Sequence, residues 1–232
     1  MPTRRTRHIH PAPRAWWLHW PVWSNWSNWA VRAVRSVCAT WPLLVPGVAW
    51  CAAVEVQVQG ADGKPLPGAV VFLESREARA AVKPGAPADI TQVGKQFDPV
   101  VSVVPVGTAV SFPNRDTVRH HVYSFSPVKT FEIKLYVGTP TAPVVFDQPG
   151  IAVLGCNIHD NMAAWVVIVA TPWYGKAGAD GVVRWPHVPA GSYRLRTWHL
   201  SLPVGAPAAD QALTVDATSV VQAVVRLKGA VP

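Results

Sequence analysis

The chain has 232 residues, of which 50% are hydrophobic and 15% charged, and a formal net charge of +8. This length allows one large domain or two small ones, each with a real hydrophobic core. The charge is concentrated at the start, because residues 1–53 contain six arginines and no acidic residue and leave the remainder at only +2. A nearly neutral body argues against a basic nucleic-acid-binding surface, and we expect no nucleic acid among the partners.

The first 53 residues have the features of a targeting segment rather than of a packed domain. They hold eight of the twelve tryptophans, without any β or heptad period. Arg32 and Arg35 supply a positive start, residues 36–50 are mostly apolar, and Cys51-Ala52-Ala53 places small residues before a cleavage point after Ala53. We therefore predict a signal peptide over residues 1–53 and a periplasmic protein.

Three alternatives for this segment stay open. Pro42 and Pro46 interrupt an apolar run that is already short for a membrane span, yet an uncleaved segment would anchor the protein in a membrane. Thr3-Arg4-Arg5 has the form of a twin-arginine signal, although it lies far from the apolar run. A true start near Val31 would remove residues 1–30 from the protein altogether.

From Val54 onward the pattern is that of short β-strands. Val54, Val56 and Val58 alternate with polar residues, which is typical of a half-buried strand. Residues 75–89 are rich in alanine, proline and charge and are predicted to be a connection. Short strands at this spacing predict an all-β sandwich or barrel. Further strands are predicted at 69–73, 98–104, 108–112, 120–125, 131–136, 143–146, 151–154, 163–170, 182–183, 213–215 and 220–227.

The predicted mature chain has only two sulfur atoms. Cys38 and Cys51 lie within the targeting segment, so cleavage leaves Cys156 as the only cysteine and Met162 as the only methionine. A single thiol cannot form an internal disulfide, and in an oxidising compartment it is vulnerable unless it is buried or bound to a metal. These two residues therefore define the candidate site.

Cys156 and Met162 lie in a loop with the spacing C-x2-H-x2-M, in which His159 is the third potential ligand. Soft sulfur ligands hold Cu(I), imidazole suits both oxidation states, and blue-copper sites use two histidines, one cysteine and a weak axial methionine. Zinc is less suitable, because it favours four strong ligands. The loop predicts one type 1 copper ion per chain, with its second histidine supplied by an earlier strand.

His120 and His121 are the two candidates for that second histidine. Side chains alternate along a strand, so if His120 points inward with Val122, then His121 points to solvent with Tyr123. We therefore predict that the metal ligands are His120, Cys156, His159 and Met162, with no catalytic residues and no organic cofactor.

Residues 90–171 resemble the cupredoxins, above all the amicyanins and plastocyanins. The resemblance lies in Phe112-Pro113-Asn114 before a His-x-Val strand, in Pro149-Gly150 before the strand that ends at the cysteine, and in the short ligand loop. With residues 131–136 it extends to the plastocyanin-like proteins named for methylamine utilisation. The resemblance implies a Greek-key β-sandwich in which Met162 is the axial ligand and the ring edge of His159 passes the electron.

The sequence departs from the cupredoxin pattern near two ligands. His121 stands where family members often have an asparagine that ties the ligand loops together, so this histidine either ties them less well or competes for the metal. Ile158 and Asp160 replace the prolines that often flank the loop histidine, and Asp160 is expected to lower the reduction potential. The two remaining histidines, His187 and His199, are interpreted as structural or surface residues.

Two flanking stretches, 62–73 and 180–193, resemble the opening and closing halves of transthyretin-like (carboxypeptidase regulatory-like) sandwiches. This implies that the copper domain is inserted into a small additional β-sandwich. An equally weighted alternative is that residues 54–75 supply the first cupredoxin strands. The predicted segments are 1–53 for targeting, 54–80 for the first half of the flanking sandwich, 88–172 for the copper domain and 177–229 for the second half.

The expected function is one-electron transfer to an unidentified redox protein. One alternative is a copper carrier that hands over the metal instead of the electron. A purely adhesive or structural sandwich fits an intact set of four ligands poorly. A copper enzyme is not expected, because such enzymes need further ligands, typically in His-x-His pairs, and the sequence after residue 53 contains no such pair.

Overall fold

A computed structural model describes residues 51–217 and 219–230. The predicted targeting segment lies outside the described residues, except for its last three positions. The regular secondary structure of the described part is almost entirely β-strand. Its elements are β1 Cys51–Gln59, β2 Val70–Glu74, α1 Arg76–Ala81, β3 Ala88–Asp89, β4 Thr91–Val93, β5 Gln96–Asp98, β6 Val101–Pro105, β7 Thr108–Ser111, β8 His120–Ser126, β9 Lys129–Tyr136, β10 Val144–Phe146, β11 Gly150–Gly155, β12 Ala163–Val169, β13 Tyr174–Lys176, β14 Val182–Pro189, β15 Gly191–Trp198, β16 Ala209–Val215 and β17 Val221–Arg226.

The N- and C-terminal strands pair with one another. In the outer flanking sheet, β1 lies between β14, to which it is antiparallel, and β17, to which it is parallel. The inner flanking sheet has the order β13-β2-β15-β16. Apolar side chains from both sheets, among them Val56, Leu73 and Leu195, form one buried cluster. These sheets correspond to the additional sandwich that the sequence predicts, because β1 and β2 pair with strands from the C-terminal stretch.

The central strands form the other sandwich. A five-stranded sheet of order β6-β12-β11-β8-β9 faces a three-stranded sheet of order β10-β7-β3. Between them lies a second cluster that includes Phe112, Phe146 and Leu154. The predicted all-β fold is confirmed. From the strand pairing we propose that 54–80 and 177–229 form one domain, into which 88–172 is inserted.

A third cluster joins the two sandwiches. Val70, Phe72 and Trp198 of the inner flanking sheet pack with Val167 and Val169 of β12. Strand β12 is therefore covered on both faces, which accounts for its unbroken apolar run where a half-exposed strand would alternate. The inner flanking sheet therefore packs on part of the outer face of the five-stranded sheet.

The predicted connection at 75–89 contains a helix that sequence periodicity does not reveal. Helix α1 has only six residues, and its N-cap is Ser75, whose Oγ accepts a hydrogen bond from the backbone N–H of Ala78 at 3.0 Å. The sequence also does not predict strands β3, β4, β5 and β13. Each has only two or three residues, which is too short for an alternating pattern to stand out.

Strand β1 starts within the predicted cleavage site. Ala52 is buried and lies opposite Val188 of β14, and Cys51 lies opposite Pro189. Cleavage after Ala53 would shorten this strand by three residues. No helix in the described part of the chain is long and apolar enough to cross a membrane.

Candidate metal centre

Three of the four predicted ligands converge at one end of the central sandwich. The potential ligand atoms of His120, Cys156 and His159 all lie within 4.8 Å of one another. The rings of the two histidines have their centroids 5.0 Å apart. The fourth predicted ligand, Met162, is buried in the same core cluster as Cys156. The strands therefore bring together residues that are up to 42 positions apart in the sequence.

His120 is fully buried at the start of β8, and its ring is held from one side. Its Nε2 lies 2.7 Å from Oδ2 of Asp116. Because a carboxylate only accepts hydrogen bonds, Nε2 carries the proton and donates, and Nδ1 is left with the free lone pair. This Nδ1 is buried and has no hydrogen-bond partner among the described residues. The ring thus turns its metal-binding nitrogen toward the cluster.

Asp116 is fixed by the turn of the β4–β5 hairpin. The backbone N–H groups of Gly94 and Lys95 donate to its two carboxylate oxygens at 2.7 and 2.9 Å. Both turn residues have positive φ, 62° and 58°, as in a type I′ hairpin turn. The N–H of Lys95, followed by His120 and Gly94, keeps the pKa of Asp116 below its ordinary value against the opposing effect of burial. The carboxylate is therefore ionised beside the imidazole.

Asn114 organises the segment that leads into β8. Its side-chain amide donates to the backbone carbonyls of Val118 and Tyr136, each at 2.9 Å, and its Oδ1 accepts from the N–H of Asp116. The hydroxyl of Tyr136 donates to the carbonyl of Phe112 at 2.6 Å, and burial raises its pKa. These bonds leave Asp116 and His120 little freedom to move apart.

Cys156 and Met162 bracket the ligand loop between β11 and β12. Both are almost fully buried, with 3% and 2% of their surface exposed. The backbone N–H of Met162 donates to the carbonyl of His159 at 2.9 Å and closes the loop. On the opposite face of the sheet, the ring of Tyr123 lies so close to Gly155 that a Cβ there would meet it at 2.7 Å. Glycine before the cysteine allows this contact.

His159 is the ligand candidate nearest to solvent. It is partly exposed, yet its Nδ1 is buried and has no hydrogen-bond partner among the described residues. Its neighbours Ile158 and Asp160 are exposed, and Ile158 shows 45% of its surface. The ring therefore reaches from the buried cluster toward the surface.

His121 departs from its predicted solvent exposure. It lies on the opposite face from His120, with its ring 5.5 Å from that of Tyr123, as strand alternation predicts. However, only 4% of its surface is exposed, and its Nε2 lies 3.0 Å from Oε1 of Glu132. The expectation that it points to solvent is wrong, because the ring of Tyr123 and the side chain of Glu132 lie against it at this end of β8. His121 is not part of the converging group.

The other two histidines lie outside the site. His187 is exposed on β14. His199 is buried, with Nδ1 2.7 Å from Oγ of Ser201 and Nε2 3.2 Å from the carbonyl of Pro67. Burial lowers the pKa of His199. Neither contributes to the group of ligand atoms.

The residues present suit a copper ion. Two buried imidazole Nδ1 atoms without hydrogen-bond partners face a buried thiol, and a thioether lies in the same cluster. Unpaired buried polar atoms are unfavourable in a folded protein, so their convergence requires an explanation, which a metal with two nitrogen and two sulfur ligands supplies. Asp116, which orients the first histidine, was missed in the sequence because it carries no motif. Its spacing of four residues before His120 is the only sequence signal.

No protein-family model matches this chain, and no curated protein matches it. Among solved structures, it is similar to the copper-containing nitrite reductase of Thermus scotoductus SA-01, at 27% identity and a TM-score of 0.34 over 38% of this chain and 23% of that one. The novel purple cupredoxin of Nitrosopumilus maritimus is 22% identical, with a TM-score of 0.32 over 35% of this chain and 99% of that one. A reduced Cu(I) form of an amicyanin variant is 21% identical, with a TM-score of 0.33 over 43% and 98%. With TM-scores below 0.5, these similarities carry no argument about function.

Proposed function

We propose that this chain is an exported type 1 (blue) copper protein that carries one electron at a time. The observation that carries the proposal is the convergence of His120, Cys156 and His159 in a buried pocket, with both histidine Nδ1 atoms free of other partners. A bound copper ion would supply reversible Cu(II)/Cu(I) chemistry. The protein supplies a preformed, dry site, which suits electron transfer because little has to rearrange when the charge changes.

Each ligand has a distinct role in this proposal. The Cys156 thiolate, the imidazoles of His120 and His159 and the Met162 thioether would hold the metal. Asp116 keeps the His120 ring in the required tautomer and orientation. His159 provides the route for the electron, because it is the ligand whose ring approaches the surface.

The partner is proposed to be a redox protein that docks around His159. The exposed Ile158 offers an apolar contact next to this ring, as a short-lived complex requires. We further propose that the protein works in the periplasm. There a single buried thiol bound to copper is protected from oxidation.

The test is to express the full chain with its N-terminal segment, recover the exported form, and measure its copper content, visible absorption and EPR spectrum. We expect one copper per chain, an intense blue colour from Cu(II)–thiolate charge transfer, and loss of the colour in Cys156→Ala. Ser219→Ala, which changes a hydroxyl outside the site, serves as the control and should stay blue. A colourless protein that binds no copper would overturn the proposal.

Electron transfer and metal transfer differ in a second measurement. A one-electron carrier should exchange electrons rapidly and lose copper slowly to a chelator. Rapid copper loss to a chelator, with slow electron exchange, would identify a copper carrier instead. The buried position of Cys156 and Met162 favours the first result.

A further inference from the structure

A cleft of about 770 Å³ lies between the two sandwiches, beside the candidate metal centre. Its volume is in the range of sites for small molecules, about 300–1,000 Å³. One side is formed by β8 and β11 of the five-stranded sheet, and the other by β2 and β15 of the inner flanking sheet. The junction cluster around Trp198 holds these sheets together, so the cleft is preformed.

The side formed by β8, which we call the aromatic wall, consists of Tyr123 and Phe125. Their rings lie on one face of the strand with centroids 5.0 Å apart. Phe125 is unusually open for a phenylalanine, with 73% of its surface exposed at the cleft. Such a surface favours a flat apolar partner.

The side formed by β2 and β15, which we call the arginine wall, consists of Phe72, Arg194 and Arg196. The guanidinium carbon of Arg196 lies 5.7 Å from the centre of the Phe72 ring, as in a cation–π pair. The buried Nε of Arg196 has no hydrogen-bond partner among the described residues. The wall therefore offers cationic donors, and the Phe72 ring behind them helps to hold Arg196 in place.

The position of the charges, rather than their sum, suits an anion. The lining contains the cations of Arg79, Arg194 and Arg196 and the carboxylates of Glu74 and Asp160. Arg194 is paired with Asp210, and Arg196 lies 3.5 Å from Glu74. Arg79 has no carboxylate within ion-pair distance in the described part of the chain, so its charge is available to a ligand.

The cleft ends at the ligand loop. Gly155, Cys156 and Met162 contribute to its lining, and the ring of Tyr123 lies against Gly155. A molecule in the cleft would therefore lie next to the backbone directly before the predicted copper ligand Cys156.

We propose that this cleft binds a small planar aromatic anion, with its ring on the aromatic wall and its charge toward Arg79 and the arginine wall. This binding does not depend on copper, because both walls lie outside the set of metal ligands. The proposal therefore goes beyond the proposed electron carrier and can fail or succeed separately from it.

The test is isothermal titration of the full chain, first without metal and then with copper, using naphthalene-2-sulfonate as the probe. We expect saturable binding of one probe per chain in both forms. Naphthalene-2-methanol, which lacks the charge, and cyclohexanesulfonate, which lacks the aromatic ring, should each bind at least fivefold more weakly, as expected for losing one ionic or one stacking contact of about 1 kcal/mol.

Two pairs of variants locate the site. Arg79→Gln and Phe125→Ala should each weaken probe binding by about fivefold to tenfold. Arg76→Gln, which removes a 94% exposed charge from the same helix, and Leu135→Ala, which removes an exposed apolar side chain outside the cleft, should leave it unchanged. All four positions are exposed, so these variants should fold. Absence of saturable binding, equal loss in the control variants, or equal binding of cyclohexanesulfonate would overturn the proposal.

Discussion

The central and flanking sandwiches share one plan, two sheets packed face to face, but their interiors differ in chemistry. The flanking interior is built from aliphatic and aromatic side chains such as Val56, Leu195 and Trp185. The central interior also contains a thiol and a thioether, with the buried imidazole of His120 beside them. Burying a polar group without a partner is costly, so the central sandwich gives up stability at one end. This contrast indicates that the flanking sandwich supports the structure and that the central sandwich carries the reactive site.

The largest expected effect concerns the junction cluster and tests whether the two sandwiches unfold together. Trp198→Ala removes the largest side chain of the junction cluster, and we expect a loss of about 3–5 kcal/mol in the free energy of unfolding. Because this cluster joins the inner flanking sheet to β12, we also expect one unfolding transition to divide into two. Denaturant unfolding followed by circular dichroism measures both.

The matched control for this variant is Val220→Ala, at a residue with 61% of its surface exposed. It should change stability by less than about 0.5 kcal/mol. If Trp198→Ala leaves a single, equally stable transition, the junction does not couple the sandwiches, and the view of the flanking sandwich as a rigid support is wrong.

The second prediction concerns the tight contact between the backbone of Gly155 and the ring of Tyr123, next to the ligand loop. Gly155→Ala places a Cβ about 2.7 Å from the ring of Tyr123, and we expect a loss of about 1–3 kcal/mol in stability from overpacking. The clash should be relieved when Tyr123 is also changed to alanine. A double-mutant cycle of thermal unfolding measures this coupling. Purely additive losses would show that the ring does not restrict the residue before Cys156.

The third prediction concerns Asp116, whose carboxylate contacts the predicted ligand His120. Asp116→Asn keeps the shape but removes the charge beside His120, and we expect Cu(II) affinity to fall by about 10-fold to 100-fold. If Cu(I) affinity changes less, the reduction potential should rise by about 59 mV for each tenfold difference. Competition with chelators and redox titration measure the two quantities.

Asp147→Asn is the control for charge alone, since Asp147 forms an exposed pair with Lys129 on the surface of the central sandwich. It should leave copper affinity and potential unchanged. The role assigned to Asp116 would be contradicted if both variants behaved alike.

Much of the central sandwich could be predicted because its signals are local. Strands such as β12 are continuous apolar runs, and the C-x2-H-x2-M loop holds Cys156, His159 and Met162 within seven residues. The pairing of β1 with β14 and β17 depends on contacts across more than a hundred residues, and only resemblance to another sandwich family suggested it. The segment boundaries drawn from that resemblance stay a prediction.

Other features could not be predicted, because they depend on what packs against a residue. Alternation placed His121 on the correct face of β8, but what covers that face is not encoded within the strand. Asp116 acquires its role only because the β4–β5 turn brings two N–H groups to it. That hairpin has three residues on each side, too few to produce a pattern.

The smallest expected effect comes from a buried histidine of the flanking part, His199, which has a different environment from His120. Both of its nitrogens have oxygen partners, so its burial serves structure rather than a metal.

Because burial lowers the pKa of His199 below the ordinary 6.5, the unfolded chain binds a proton more readily than the folded one. Its contribution to stability is therefore complete above pH 6.5 and is lost as the pH falls through the lower pKa of the folded state. Unfolding of the metal-free chain across this range should show a shallower loss in His199→Gln than in the wild type, whereas the exposed His187→Gln should follow the wild type. Parallel curves for all three proteins would mean that the folded state protonates His199 as easily as the unfolded chain does. The proposed contrast between His199, whose two ring nitrogens have partners, and His120, whose Nδ1 has none, would then be contradicted for His199.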